Sequence, residues 1–140
     1  MKIKIKRLDP QAKLPSYAHP GDAGLDLCAL AATVVPTRSR AEIRTGLAFE
    51  IPDGYVGLVW DKSGLAFKQG LTTMSGVLDA GYRGELKLLV FNTSEQDYHF
   101  AAGDKVCQLL IQPVARAEIE ETGELADSSR GEDAFGSTGR

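Results

Sequence analysis

Short strand-like segments separated by turn residues are the feature that most constrains how this chain can fold. The segment Lys2–Lys6 alternates lysine with isoleucine, which is the period-two pattern of a strand buried on one face. Pro52-Asp53-Gly54 marks a turn between two further segments. Patterns of this kind predict strands at Lys2–Lys6, Leu25–Leu30, Ile43–Ile51, Tyr55–Trp60, Leu71–Leu78, Glu85–Asn92 and Val106–Val114.

Only one segment has the pattern of a helix. Ser63–Gly70 begins with a residue that can cap a helix and ends with a glycine, and it is long enough for about two turns. The loop Asp79–Gly84 lies between two predicted strands, so we expect these strands to form a hairpin with a longer loop. Together the segments predict an all-β fold, a jelly roll or β-barrel, with one short helix.

The composition of the chain changes near its end. The length of 140 residues suits one compact domain. From Glu118 onward acidic and small polar residues dominate, and Phe135 is the only aromatic residue. Such a segment cannot bury enough apolar surface to order itself. We therefore predict a folded domain at residues 1–118 and a mobile tail at residues 119–140.

Charge and hydropathy exclude several classes of function. The net charge of -3 leaves no broad basic surface for nucleic acid, although local cations can still hold a small polyanion. No apolar run approaches the roughly 20 residues that cross a bilayer, and the N-terminus lacks the apolar core of a signal peptide. We expect a cytoplasmic protein without a membrane partner. Cys28 and Cys107 lie in apolar stretches and are expected to be reduced and buried.

Two early segments carry charged residues in unusual places. Asp26 lies within an apolar run, where a buried carboxylate needs a partner or a metal ion, unless it only ends a strand. Lys62-Ser63-Gly64 places a cation, a hydroxyl group and a glycine where the helix begins. This arrangement is typical of an anion site, and equally of a simple helix cap.

Two later segments offer groups for proton transfer and for hydrogen bonding. Asp79 and Tyr82 lie three residues apart in a glycine-rich loop, where both side chains can project into one cavity. Asp79 can take a proton from water, although the loop can also be a plain turn. Gln108 can donate from its amide to a phosphate oxygen or serve only as a strand residue.

The tail contains a fifth group of candidate residues. Arg130 is followed by Phe135-Gly136-Ser137-Thr138, in which an aromatic ring that can stack on a base adjoins glycine and hydroxyl groups. The spacing differs from that of the common phosphate-binding loop. The group can therefore grip phosphate or be a solvated tail.

Taken in order, the five groups resemble the five motifs of the trimeric dUTPase family, over nearly the whole chain. The resemblance implies a distorted jelly roll that forms a homotrimer, in which the tail of one subunit closes over a site made by the others. It also implies hydrolysis of dUTP to dUMP and pyrophosphate with Mg²⁺. This reaction would limit uracil incorporation into DNA and supply dUMP for dTMP synthesis.

The resemblance also implies a role for each candidate residue. Asp26 helps to hold Mg²⁺ through its water shell, and Asp79 activates the water that attacks the α-phosphate. The uridine contacts are Gly76 and Val77 at the uracil edge and Tyr82 under the deoxyribose. The remaining substrate-binding residues are Lys62, Ser63, Gly64, Gln108, Arg130, Phe135, Gly136, Ser137 and Thr138, of which the last five belong to the lid.

The chain differs from the family pattern at a few positions. Lys62 stands where the family usually has arginine, and lysine neutralises a phosphate without forming a two-pronged hydrogen-bonded pair. Asp133-Ala134 replaces the glycine pair that usually precedes the aromatic residue of the tail, and Cys107 replaces a smaller residue.

Two other functions are compatible with this pattern. A dCTP deaminase resembles the family in fold, but the spacing of Asp79 and Tyr82 and the tail sequence favour diphosphate hydrolysis. A regulatory module that senses dUTP would use the same pocket, but it would have no need of a general base at Asp79.

Overall fold

A computed structural model describes residues 1–74 and 76–132 of the chain. Most of the regular structure in these residues is β-strand, with one short helix. In chain order the elements are β1 (Lys4–Arg7), β2 (Leu25–Cys28), β3 (Thr33–Val35), β4 (Arg40–Glu50), β5 (Tyr55–Asp61), α1 (Ser63–Gln69), β6 (Leu71–Thr73), β7 (Val77–Leu78), β8 (Glu85–Asn92), β9 (Tyr98–Phe100) and β10 (Lys105–Pro113). The prediction of an all-β fold with one short helix is confirmed.

The strands form two four-stranded antiparallel sheets that share one core. The first sheet has the order β1-β4-β8-β6, and the second has the order β2-β10-β5-β7. In β8 every second residue is buried, as the period of a strand requires when one face lies on a core. Leu88 of the first sheet and Leu27 and Leu109 of the second are fully buried in the same apolar cluster. A small pair formed by β3 and β9 completes the fold.

The chain changes sheets within the segment that we predicted as a single strand, Leu71–Leu78. Its first part, β6, pairs with β8 in the first sheet, whereas its last part, β7, pairs with β5 in the second sheet. The predicted antiparallel pairing of Leu71–Leu78 with Glu85–Asn92 is therefore confirmed for β6 and wrong for β7, because the Asp79–Gly84 loop connects the two sheets. A continuous apolar run can be buried by either sheet, and only pairing partners distant in sequence decide where it is divided.

Helix α1 is held differently from the strands, because none of its residues is buried. Gly70 follows its last turn with a φ of 65°, so the predicted glycine end is confirmed. The predicted cap at the start is wrong. Lys62 occupies the N-cap position without a side-chain hydrogen bond, and Ser63 is already the first helical residue. Phe67 projects outward with 91% of its surface exposed.

Residues 114–132 follow the last strand and contain neither helix nor strand. Every one of them is exposed. The division of the chain into residues 1–118 and a mobile tail stays a prediction, and residues 133–140 lie outside the described residues. In the described part of the chain, no helix is long and apolar enough to cross a membrane.

Asn92, fully buried at the end of β8, provides a test of this fold. Its amide nitrogen donates to the carbonyl oxygens of Val35 (3.1 Å) and Gln96 (2.8 Å), and its amide oxygen accepts from Ser94. Asn92→Asp keeps the shape but removes both donated bonds, and each unpaired buried group costs about 1–3 kcal/mol. We expect a loss of about 2–5 kcal/mol in the free energy of unfolding, measured by urea denaturation.

Gln96→Glu is the matched control, because it makes the same change of amide to acid on an exposed residue of the same turn. It should change the free energy of unfolding by less than about 1 kcal/mol. Equal effects of the two substitutions would contradict the account of Asn92.

Candidate active site

A buried carboxylate with two cations marks one end of the second sheet. Asp26 lies in β2 with 2% of its surface exposed, and Lys62 Nζ donates to its Oδ1 across 2.9 Å. Lys105 Nζ lies 2.6 Å from Oδ2, although the contact lacks the angles of a hydrogen bond. Burial raises the pKa of Asp26, but the two lysines together outweigh it and hold this pKa below its ordinary value. Asp26 is therefore an ionised, paired carboxylate.

Gln108 lies beside Asp26 because the two residues face each other in adjacent strands. β10 pairs Gln108 with Asp26 of β2 on one side and with Trp60 of β5 on the other. Gly24 lies against the same side chain, where an added Cβ would come within 3.0 Å of Gln108 Cβ. A larger residue at position 24 would therefore displace Gln108.

The start of α1 is open to solvent beside this carboxylate. Ser63 and Gly64 are exposed, and a Cβ added at Gly64 would meet no atom within 4 Å. We define the Asp26 group as Asp26, Lys62, Ser63, Gly64, Lys105 and Gln108. Lys105 was missed by the sequence analysis, although it lies in the same segment as Gln108.

A second group lines a cavity of about 250 Å³ beside the loop between β7 and β8. The predicted residues that line it are Gly76, Val77, Asp79 and Tyr82. We call it the loop cavity. Asp79 is exposed at this cavity, and among the described residues no hydrogen bond or ion pair engages its carboxylate.

The loop that carries Asp79 is braced by its own hydrogen bonds. Tyr82 N donates to the carbonyl oxygen of Asp79 (3.1 Å), and Tyr82 Oη donates to the carbonyl oxygen of Glu85 (3.1 Å). The Tyr82 ring covers Gly84, where any Cβ would clash with the phenol. Arg83 donates to the carbonyl oxygens of Ala80 and Tyr82. The phenol is thus fixed relative to the backbone of Asp79.

The structure brings the predicted residues together in two groups instead of one. The lining of the loop cavity includes Asp79 and Tyr82 but none of Asp26, Lys62 and Gln108. Arg130 lies in the exposed tail. The other predicted lid residues, Phe135, Gly136, Ser137 and Thr138, lie outside the described residues.

Asp26 decides whether the residues of this site could hold a metal ion. The described residues include no group of three or more histidine, cysteine, aspartate or glutamate side chains that could hold a metal ion directly. A hydrated metal ion that is already bound to a polyphosphate needs fewer direct ligands from the protein. Oδ2 of Asp26 is closed to solvent and lies 2.6 Å from Lys105 Nζ, but the Lys105 side chain is 47% exposed and can turn away to let a metal-bound water approach. The residues therefore fit an ion held through water.

The two cysteines differ in their surroundings. Both are free thiols, and Cys107 is buried as expected, whereas Cys28 is only half-buried. Burial raises the pKa of Cys107 to about 12, with a smaller opposing effect of its hydrogen bond to Thr73. Cys107 is therefore an unreactive thiol at neutral pH.

Comparison with known proteins points to one family. The family model described as dUTPase matches residues 10–139. The chain is 47% identical to the deoxyuridine 5′-triphosphate nucleotidohydrolase of Thermobifida fusca (strain YX), with 99% of this chain and 79% of the relative covered. It is 40% identical to the protein of the same name from Clostridium tetani (strain Massachusetts / E88), with 99% and 97% covered.

Solved structures agree with these relatives. A mutant dUTPase of Staphylococcus bacteriophage 80alpha with dUpNHpp superimposes with a TM-score of 0.94 at 30% identity, over 99% of each chain. A mutant dUTPase from phage phi11 of S. aureus superimposes with a TM-score of 0.85 at 27% identity, over 91% of this chain and 100% of the other. That structure is described as revealing the coordination of a structural Mg(II) ion.

The depressed pKa of Asp26 predicts how stability depends on pH. A carboxylate whose pKa falls on folding stabilises the fold above its unfolded pKa, near 3.8, and loses this contribution as the pH falls through the folded pKa. Asp26→Asn removes the contribution. The difference in the free energy of unfolding between wild type and variant should therefore be constant near neutral pH and shrink below 3.8.

Urea denaturation from neutral pH to the acid limit of the fold measures this difference. Glu50→Gln is the control, because Glu50 forms an ion pair with Lys4 on the surface, where solvent screens the interaction. Its effect should be small and should disappear in high salt. A difference for Asp26→Asn that does not change with pH would contradict the assignment.

Proposed function

Since the chain belongs to the dUTPase family, we propose that it hydrolyses dUTP to dUMP and pyrophosphate with Mg²⁺, at sites completed by neighbouring subunits. Its relatives are named for this activity, as deoxyuridine 5′-triphosphate nucleotidohydrolases. The observation that carries the mechanism is the loop cavity, where an unengaged carboxylate adjoins a braced phenol and an open strand edge.

The strand edge in the loop cavity suits the recognition of uracil. Among the described strands β7 pairs with β5 alone and lies at the edge of its sheet, so its other edge offers the backbone donor and acceptor of Val77. Gly76, whose carbonyl oxygen accepts from Val59 N (2.8 Å), is the second proposed uracil contact. Uracil differs from cytosine at the exocyclic 4-position, where a carbonyl replaces an amino group. Rigid backbone groups distinguish the two because a mismatched base leaves a donor or an acceptor unpaired.

We propose that Tyr82 selects deoxyribose. Its hydroxyl is held by the Glu85 carbonyl oxygen and its ring lies over Gly84, so the ring cannot easily move aside. In our proposal the sugar packs on this ring and a 2′-hydroxyl would collide with it. The fixed ring thereby discriminates dUTP from UTP.

Asp79 is the proposed general base. Its carboxylate is exposed at the cavity and has no partner among the described residues, so it is free to accept a proton from water. The water would then attack the α-phosphate, and pyrophosphate would leave. Asp26, by contrast, is already engaged by two ammonium groups and cannot serve as the base without losing them.

The Asp26 group is the proposed phosphate side of the site. Lys62, Ser63, Gly64 and Gln108 would bind phosphate oxygens through an ammonium group, a hydroxyl, the backbone and an amide. Asp26 would hold the water shell of the ion. Mg²⁺, when bound, supplies positive charge that orients the phosphate chain and stabilises the leaving group.

A trimer would join the two groups of residues. The Asp26 group and the loop cavity are separate in one chain, and apolar side chains stand exposed beside them, including Phe67 at 91% and Val77 at 68%. The tail could reach a neighbouring site, since residues 119–134 extended at about 3.3 Å each span roughly 50 Å. In our proposal, Arg130, Phe135, Gly136, Ser137 and Thr138 form a lid there.

This activity has a place in nucleotide metabolism. Hydrolysis of dUTP keeps uracil out of DNA, and its product dUMP is the precursor of dTMP. We propose these roles in the cytoplasm.

The proposed function predicts a substrate order. Pyrophosphate release with Mg²⁺ should be fast for dUTP and at least about 10²-fold slower, as kcat/KM, for dCTP, dTTP and UTP. Ammonia release from dCTP is measured in parallel. Turnover of dCTP with ammonia release would identify a deaminase, and dUTP binding without turnover would identify a regulatory module.

Asp79 can be tested separately. Asp79→Asn should lower kcat by about 10² to 10⁴, the usual cost of removing a general base, while binding of dUpNHpp is retained. Asp53→Asn removes an exposed turn carboxylate elsewhere and should leave both quantities unchanged. Near-normal turnover by Asp79→Asn would exclude Asp79 as the base.

A further inference from the structure

Helix α1 carries Ser63 and Gly64 of the proposed phosphate side, yet apolar packing anchors it only in part. None of its residues is fully buried, although the half-buried Leu65 packs against the core. Hydrogen bonds at the two ends of the segment supply the rest. At the far end, Thr93 N donates to the carbonyl oxygen of Gly70 (2.8 Å), and Thr93 Oγ1 donates to the same oxygen (2.8 Å).

The near end is held by Asp61, the last residue of β5. The Asp61 backbone is fixed in the second sheet by pairing with Cys107 of β10. Its carboxylate crosses to β6, where Oδ2 accepts from Thr72 Oγ1 (2.9 Å) and Oδ1 accepts from Thr73 N (2.5 Å). Both bonds are charge-assisted and half-buried, so they are stronger than ordinary surface contacts.

These two bonds connect the sheets at the base of the helical segment. β6 belongs to the first sheet, where Thr73 pairs with Val90 of β8, whereas Asp61 belongs to the second. The chain between Asp61 and Thr72 contains Lys62, α1 and Gly70. Asp61 therefore closes this segment into a loop and sets where Lys62, Ser63 and Gly64 stand relative to Asp26.

We propose that Asp61 is a positioning residue for triphosphate binding, acting through the Lys62–Gly64 segment. This inference rests on the proposed function, because that function assigns the phosphates to Lys62, Ser63 and Gly64. Asp61 itself touches no phosphate in this account. Its half-buried negative charge is stabilised by the hydrogen bonds from Thr72 and Thr73.

The proposal predicts a selective loss of affinity. Asp61→Ala should weaken binding of dUpNHpp by about tenfold or more, the equivalent of about one charge-assisted hydrogen bond. Binding of dUMP should change less than about threefold, because no residue that lines the loop cavity lies within residues 61–73. Calorimetric titration measures both affinities, and thermal unfolding verifies that the variant is folded.

Conservative variants separate geometry from charge. Asp61→Asn keeps an acceptor for Thr73 N and can donate to Thr72 Oγ1, so it should bind dUpNHpp nearly as wild type does. Thr72→Val removes one donor and should weaken binding, whereas Thr72→Ser retains the donor and should restore it. If Asp61→Ala does not fold, the affinities of Asp61→Asn, Thr72→Val and Thr72→Ser still test the proposal.

Asp9→Ala is the matched control. Asp9 is half-buried like Asp61, and its carboxylate also accepts from a backbone N–H, that of Gln11 at 2.8 Å. It lies in neither group of site residues, so its loss should leave both affinities unchanged. Equal weakening of dUpNHpp and dUMP by Asp61→Ala would overturn the proposal and leave Asp61 as a residue of general stability.

Amide hydrogen exchange tests the same proposal without nucleotide. In Asp61→Ala, the peptide covering residues 62–70 should exchange faster, and β8 should be unchanged; unchanged exchange at residues 62–70 would overturn the proposal. If wild-type protein releases no pyrophosphate from dUTP, the proposed function fails. The exchange experiment still decides whether Asp61 holds the segment.

Discussion

Burial of apolar side chains between the two four-stranded sheets is the interaction on which the other features of this structure depend. The residues that meet there come from nearly every strand, including Leu27, Leu88 and Leu109. In β8 every second residue points inward, whereas β2 and part of β4 are buried at consecutive positions. Most of the candidate site residues lie at the ends of elements and in loops, whereas Asp26 and Gln108 lie within strands.

The core also explains why two carboxylates of similar chemistry have different environments. Asp26 lies between the buried residues Leu25 and Leu27 of β2. Its charge can be buried there because it forms ion pairs with Lys62 and Lys105. Asp79 lies on the loop that passes from one sheet to the other, and its side chain is exposed although its neighbours Leu78 and Ala80 are in the core. Its carboxylate has no partner among the described residues, which suits its proposed role as a base.

Polar contacts supplement hydrophobic packing where the core ends. Helix α1 has no fully buried residue, and besides the contact of Leu65 with the core its position depends on Asp61, on Gly70 and on the ion pair between Lys62 and Asp26. Such ties order a short segment without making it part of the core. A segment held in this way can adjust to a bound polyanion at lower cost than one locked by packing, which agrees with the place of Lys62 and Ser63 in the proposed site.

Local pattern determined a large part of this protein from sequence alone. The strand predicted at Glu85–Asn92 has the bounds of β8, Gly70 marked the helix end, and the acid within an apolar run indicated that a buried Asp26 would need partners. These features depend on neighbours within a few residues, so the sequence contains their cause.

Only the tertiary structure decided which distant residues meet. It divided Leu71–Leu78 between two sheets and separated the Asp26 group from the loop cavity. It also paired Lys105 with Asp26, and it formed the hydrogen bonds from Thr72 and Thr73 to Asp61. It also revealed β3 and β9, whose three residues each are too few for a periodic pattern and are ordered by pairing with one another. Such contacts join residues from distant parts of the chain, and local periodicity carries no information about them because the burial of the whole core selects the pairing.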